Sequence, residues 1–133
     1  MIYFDTDIWI HSLVNQDAEK HEQANEIIEN YSKQGYLIST LNYQEILFVL
    51  GKLNVSENEI ELIANDLFQL NAVSYSLKQI KRASHIAKQI GFRHINDCIH
   101  TAIAEKYCTE LITYNKKDFS KIAKLTSITI RIL

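Results

Sequence analysis

Short apolar runs alternate with longer stretches of helical periodicity from one end of the chain to the other. Ile2-Tyr-Phe4, Tyr36-Leu-Ile-Ser39, Ala72-Val-Ser-Tyr75, Leu111-Ile-Thr113 and Ile128-Thr-Ile-Arg-Ile132 read as strands. Between them the spacing predicts helices over 6–14, 17–33, 41–53, 56–70, 77–90, 96–108 and 119–125. Ile8, Trp9 and Leu13 point inward on the first, and Ala24, Ile27, Ile28 and Tyr31 on the second. Ile80, Ala83, Ile86, Ala87 and Ile90 share a face of the helix that Gly91 stops. Ser56 and Glu59 have the spacing of a capping box. Strands separated by helices pair in parallel, because a helical crossover returns the chain to the same end of the sheet. The expected fold is α/β, a three-layer αβα sandwich around a mostly parallel sheet of four to five short strands.

At 133 residues and 47% apolar content the chain suits one domain, residues 1–133, with no repeat, linker or low-complexity segment. The longest uninterrupted apolar run, Ile46 to Leu50, is far too short to span a bilayer. No basic leader segment follows Met1. Cys98 and Cys108 lie ten residues apart on one predicted helix, roughly 15 Å along its axis, too far to bridge. These features predict a cytoplasmic protein with reduced thiols and no membrane partner. The net charge of −2 hides a division. Residues 1–77 hold three basic and twelve acidic side chains, while residues 78–133 hold eleven basic and four acidic ones. The basic half can attract a polyanion or can simply be a solvated surface.

In a parallel α/β fold, ligands bind beyond the carboxyl ends of the strands. Asp5 stands at such an end, and so does Thr113-Tyr-Asn115. Asp5 alone could be a helix cap. Glu45 has Leu41, Phe48 and Val49 as helical neighbours, an environment costly for an unpaired carboxylate; a capping role with Asn42 is the alternative. Asp97 opens a helix after Gly91, where a first-turn carboxylate suits the dipole and Asn96 could serve as N-cap. His94 and His100 lie three residues to either side of Asp97, so the two do not reach one ion together, and each reads as a surface or capping histidine. Asn115 and Asp118 suit the start of a short helix. As a set, carboxylates with few nitrogen neighbours suit a hard cation, Mg²⁺ or Mn²⁺, and the phosphate chemistry such ions support.

The ordered segments IYFDTDIWI, STLNYQEILFVL and HINDCIHTAIAEKYCTELITYNKKDF, followed by a last strand, resemble the PIN-domain ribonucleases, and specifically the VapC-like toxins of prokaryotic toxin–antitoxin pairs. The resemblance covers nearly the whole chain and implies a PIN-like nuclease domain. It implies that Asp5, Glu45, Asp97 and Asp118 bind one or two Mg²⁺ or Mn²⁺ ions, with Asp5 and Asp97 holding the principal one. Some members carry the fourth acid at the position of Asn115. Thr6 and Thr113 match small hydroxyl residues that support the site, whereas Asp7 departs from a position where Asn is common. The implied reaction is hydrolysis of single-stranded RNA by metal-activated water, leaving a 5′-phosphate and a 3′-hydroxyl. Arg93, Lys116 and Lys117 would steer the RNA backbone. A homodimer and a cognate antitoxin are implied as well.

Three other readings compete. The opening Asp-Thr-Asp is similar to haloacid-dehalogenase-like phosphatases, but Trp9 stands where that pattern wants Thr or Val. A phosphoacceptor receiver domain needs an Asp at the end of the third strand, and Tyr75-Ser76 offers none. A non-catalytic PIN-like module for RNA or protein binding would not need Asp5, Glu45 and Asp97 together, since unpaired carboxylates repel.

Overall fold

The computed structural model describes all residues, 1–133. Its elements run β1 (Ile2–Phe4), α1 (Thr6–Leu13), α2 (Ala18–Tyr31), β2 (Tyr36–Ser39), α3 (Thr40–Lys52), α4 (Glu57–Leu67), β3 (Ala72–Val73), α5 (Leu77–Ile90), α6 (Ile95–Tyr107), β4 (Glu110–Thr113), α7 (Lys116–Ile122) and β5 (Thr129–Ile132). A single 3₁₀ turn, Phe92–His94, joins α5 to α6. The five strands form one sheet in the order β3-β2-β1-β4-β5. Every pairing is parallel, with Ile2 opposite both Tyr36 and Glu110, and Phe4 opposite Ile112. The expected α/β sandwich is therefore present, with a sheet that is wholly rather than mostly parallel.

Successive strand residues point to opposite faces, and each face has its own core. Tyr3, Leu37 and Leu111 pack with Ala83 and Ile86 of α5, Ile99 and Ile103 of α6, and Phe119 and Ile122 of α7. Ile2, Phe4, Ile38 and Ile112 pack with Ile8 and Trp9 of α1, Ala24 and Ile27 of α2, and Ile46 and Leu50 of α3. Strands buried on both faces carry apolar residues in succession, which explains why they appear in the sequence as short continuous runs.

β1 is the central strand; the chain passes from it to β2 and β3 on one side, then crosses back to β4 and β5 on the other. Such a reversal opens a crevice at the carboxyl ends of the strands. Asp5, Ser39 and Thr113 all lie at that edge, at the ends of β1, β2 and β4.

Several local expectations change. The last helix begins at Lys116 rather than Phe119, because the Asn115 side chain caps it by accepting from the Asp118 backbone N–H. The capping box of α3 is Ser39 with Asn42, so Asn42 is not a cap for Glu45. α6 starts one residue early, after the 3₁₀ turn, and His94 rather than Asn96 occupies the capping position. Ser56 does accept from Glu59 N–H at the start of α4. Ile80 lies on the rim of the α5 face and is 40% exposed. Gly91 is the C-cap of α5 at φ +112°, a backbone state that a side chain would strain.

Candidate active site

The crevice above β1 and β4 is a cavity of ≈ 290 Å³ whose wall includes Asp5, Thr6, Asp7, Glu45, Asp97 and Asn115. Residues from four separate stretches of sequence thus meet at one place, as a strand-end site requires. A second cavity, of ≈ 330 Å³, lies between α5 and α6 against Lys78, Arg82 and Glu105. There Arg82 is already paired with Glu105 and the Leu125 carbonyl, so the crevice is the better candidate.

Asp5 is the fixed point. It is 5% exposed and directly follows β1. Oδ1 accepts from the Thr6 backbone N–H at 2.8 Å, and Oδ2 accepts from the Thr113 hydroxyl at 2.7 Å. The capping role expected of Asp5 and its place in the site are therefore the same geometry. Burial pushes its pKa up, while His100 and the Thr113 hydrogen bond oppose that.

Glu45 enters from α3. The Thr6 hydroxyl donates to Oε1 at 2.8 Å, Nε2 of His100 donates to the same oxygen, and Nδ2 of Asn96 donates to Oε2 at 3.3 Å. Burial would raise the Glu45 pKa, but His100, Thr6 and Asn96 together outweigh it and hold the carboxyl below its usual range. The apolar surroundings expected from helical spacing are only partly present: Val49 lines the crevice, but Phe48 points to solvent at 67% exposure. The desolvation of Glu45 comes from tertiary neighbours instead.

His100 is the residue that sequence reasoning placed wrongly. Expected at the surface or in a cap, it is 1% exposed and sits beneath the site. Its Nδ1 is 2.6 Å from the Tyr3 hydroxyl, which is 2.7 Å from the Ser39 hydroxyl. Its Nε2 also lies 3.8 Å from Asp5 Oδ1. Burial alone would lower the imidazole pKa; the hydrogen bond to Glu45 and the charges of Asp5 and Glu45 raise it, so a cation is stabilised below the carboxylates. Asn42, fully buried, completes this floor: Nδ2 donates to the Phe4 carbonyl and the Thr6 hydroxyl, and Oδ1 accepts from Ser39. Tyr3, Ser39, Asn42 and His100 were all missed. The Ser-x-x-Asn spacing across the end of β2 was the one legible signal among them.

The other side of the site is built differently. Asp97 sits in the first turn of α6. Its backbone carbonyl accepts from the Thr101 hydroxyl, but its carboxylate has no hydrogen bond. Burial, then the charge of Asp5, pushes its pKa up to about 7. Asp118 is held through Asn115, whose Nδ2 donates to Oδ2 at 3.1 Å. Asp118 Oδ1 is sealed from solvent with no hydrogen-bond donor, and His94 Nδ1 lies 3.4 Å from it. One atom each from His94, Asp97 and Asp118 falls within 4.8 Å of the others. His94 thus joins the carboxylates, against the expectation of a surface or capping role alone. The inference that His94 and His100 lie on opposite sides of Asp97 holds, and each histidine serves a different half of the site.

Asp7 faces the crevice from α1. Oδ2 accepts from the Tyr114 backbone N–H at 3.0 Å and from Thr113 at 3.2 Å, while buried Oδ1 has no partner. Burial, then the neighbouring charge of Asp5, pushes its pKa up to about 8. A neutral acid is therefore the favoured form at pH 7, which suits a position where an amide also serves. Lys116 and Lys117 open α7 beside Asn115, and Arg93 precedes His94; all three are exposed.

A profile described as PIN domain matches residues 2–125. Among curated protein sequences none matches significantly. Solved structures resemble the chain along most of its length. VapBC2 from Rickettsia felis, bound to a DNA fragment from its promoter, aligns at TM-score 0.71 and 17% identity, over 100% of this chain and 99% of its own. A toxin–antitoxin complex from Klebsiella pneumoniae aligns at TM-score 0.69 and 25% identity, over 90% of this chain and 91% of its own. FitAcB from Neisseria gonorrhoeae aligns at TM-score 0.70 and 14% identity, over 98% of this chain and 96% of its own.

Proposed function

The chain belongs to the PIN domain family, and from that membership we propose that it is a divalent-metal-dependent endoribonuclease that hydrolyses single-stranded RNA as the toxin of a toxin–antitoxin pair. The observation that carries this reading is the meeting of Asp5, Glu45 and Asp97 in one crevice at the strand ends. Carboxylates raise one another's pKa at such distances, and a bound cation relieves the repulsion. The residues fit a hard cation. Asp118 Oδ1 is buried without a donor, and the Asp97 carboxylate accepts no hydrogen bond. Asp5, Glu45, Asp97 and Asp118 would hold Mg²⁺ or Mn²⁺, as one or two ions.

When bound, such a cation neutralises phosphate charge and lowers the pKa of coordinated water. The chain's own groups supply the positioning. Thr6 and Thr113 lock the Asp5 carboxylate against rotation, through a backbone N–H and a hydroxyl. Thr6 and His100 fix Oε1 of Glu45 and leave Oε2, held only by exposed Asn96, to orient the attacking water. Asn115 holds Asp118 at the mouth. Arg93, Lys116 and Lys117 lie in the basic half of the chain and would pair with backbone phosphates, giving salt-dependent binding.

A cognate antitoxin that covers the acidic crevice is proposed because two of the similar structures are described as VapBC2 and as a toxin–antitoxin complex. A homodimer acting in the cytoplasm completes the proposal; no helix is long and apolar enough to cross a membrane.

The test is cleavage of single-stranded RNA by purified protein with Mg²⁺ or Mn²⁺, and loss of cleavage on chelation. Products with 5′-phosphate ends are expected. Cleavage that persists in chelator, or none with either metal, overturns the reading.

A further inference from the structure

We propose that His94 is a direct nitrogen ligand in the outer half of the site, so that the position formed with Asp97 and Asp118 prefers Mn²⁺ over Mg²⁺. The proposal rests on the metal-binding reading above and adds to it a ligand and a selectivity.

The His94 side chain is only 10% exposed, although it belongs to a connecting turn. Its Nδ1 lies 3.4 Å from Asp118 Oδ1, beyond a good hydrogen bond. Oδ1 itself is sealed from water and has no donor. Two polar atoms, from different elements, therefore face one another without satisfying one another, and an Asp97 atom lies within 4.8 Å of both residues' ligand atoms. An ion among them would satisfy all three.

The backbone explains the placement. Gly91, at φ +112°, turns the chain out of α5 and allows the 3₁₀ turn to bring His94 over the start of α6. Asp97 follows one helical turn later on the same side. Asn115 fixes Asp118 opposite.

Arg93 Nε now donates to His94 Nε2 at 3.1 Å, which leaves the imidazole proton on Nδ1. Ligation through Nδ1 moves that proton to Nε2, a change of tautomer with no net proton gained or lost. Arg93 is exposed and turns away, to solvent or to a phosphate. Imidazole nitrogen is a poor ligand for Mg²⁺ and a good one for transition ions. His94 therefore discriminates between the two ions where carboxylates alone do not.

The decisive measurement is electron spin echo modulation of Mn²⁺ bound to the purified full chain. A directly coordinated ¹⁴N is expected in the wild-type protein. In His94→Ala and His94→Gln the ¹⁴N signal disappears, and calorimetry shows Mn²⁺ binding weakened by on the order of tenfold with Mg²⁺ binding little changed. Mn²⁺ bound with no ¹⁴N coupling overturns this inference and leaves the carboxylate site standing. Coupling that survives in both variants overturns it too, since the nitrogen is then another residue's. Absence of Mn²⁺ binding overturns both the inference and the metal-dependent reading beneath it.

Discussion

The two halves of the crevice solve the same electrostatic problem in opposite ways. In the inner half, Asp5 and Glu45 are fixed by Thr6, Thr113 and His100, and the network continues through Tyr3, Ser39 and Asn42. In the outer half, the Asp97 carboxylate accepts no hydrogen bond and Asp118 keeps a buried oxygen without a donor. The inner half is organised by hydrogen bonds within the protein, and the outer half keeps carboxylate oxygens without donors. A site built this way fixes orientation in one half and leaves oxygens free in the other, where the proposed cation would bind.

The largest expected effect is on catalysis. Asp97→Asn should lower RNA cleavage by about a thousandfold, roughly 4 kcal/mol, while the metal-free protein melts no lower than wild type. Asp5→Asn should lose activity as fully but also lose about 2 kcal/mol of stability, because the amide nitrogen that replaces one carboxylate oxygen then faces a donor. Equal melting temperatures for the two variants would erase the distinction between the halves.

Next in size is the pair of histidines. His100→Ala removes one hydrogen-bond partner each from Tyr3 and Glu45 and opens a hole in the core, a cost of about 3 kcal/mol in denaturant unfolding. His94→Ala should cost less than His100→Ala without metal, because the one side-chain hydrogen bond of His94 is to exposed Arg93. A reversed order would place the scaffold in the outer half.

The pH dependence tests the same contrast. In chelator, the folded protein keeps protons on Asp97 up to about pH 7 and on Asp7 up to about pH 8, whereas the unfolded chain releases both near the ordinary aspartate value of 3.8. The folded state therefore binds more protons across that window, and stability falls as pH rises from about pH 4 to about pH 8. Glu45, with a lowered pKa, has the opposite sign: its contribution is present above the usual carboxylate range and is lost as pH falls through its folded value. Asp7→Asn should flatten the upper part of the decline and keep RNA cleavage; melting curves at several pH values with an unchanged slope would reject this account.

The smallest effect is local. Asn115→Ala removes the cap of α7 and one hydrogen bond to Asp118, a loss of about 1 kcal/mol with weaker metal binding. A variant with unchanged metal affinity would show that Asp118 needs no support from Asn115.

The contrast also explains what the sequence could tell. Strand order aside, the fold follows from alternation, since each buried strand shows as an apolar run and each helix as a periodic one. The carboxylates were visible because Asp5 and Asp97 interrupt or follow such runs. Their environments were not. Local spacing surrounds Glu45 with Leu41, Phe48 and Val49, but its actual partners come from α1 and α6. The histidines show the limit most sharply. Steps of three residues to either side of Asp97 correctly separate His94 from His100, yet nothing in that spacing reveals that carboxylates converge from both sides. A periodic pattern reports which face of an element is buried, not which polar group from a distant segment will meet it there.

The position of β1 between β2 and β4 has a consequence for the timing of synthesis. Asp5 is made 108 residues before Thr113, whose hydroxyl locks it, and the strand that closes the crevice is β4. A ribosome-bound chain ending before residue 113 carries Asp5, Glu45 and Asp97 yet has no wall to hold them in register. The site comes into being only once β4 has been made, long after the carboxylates that it gathers.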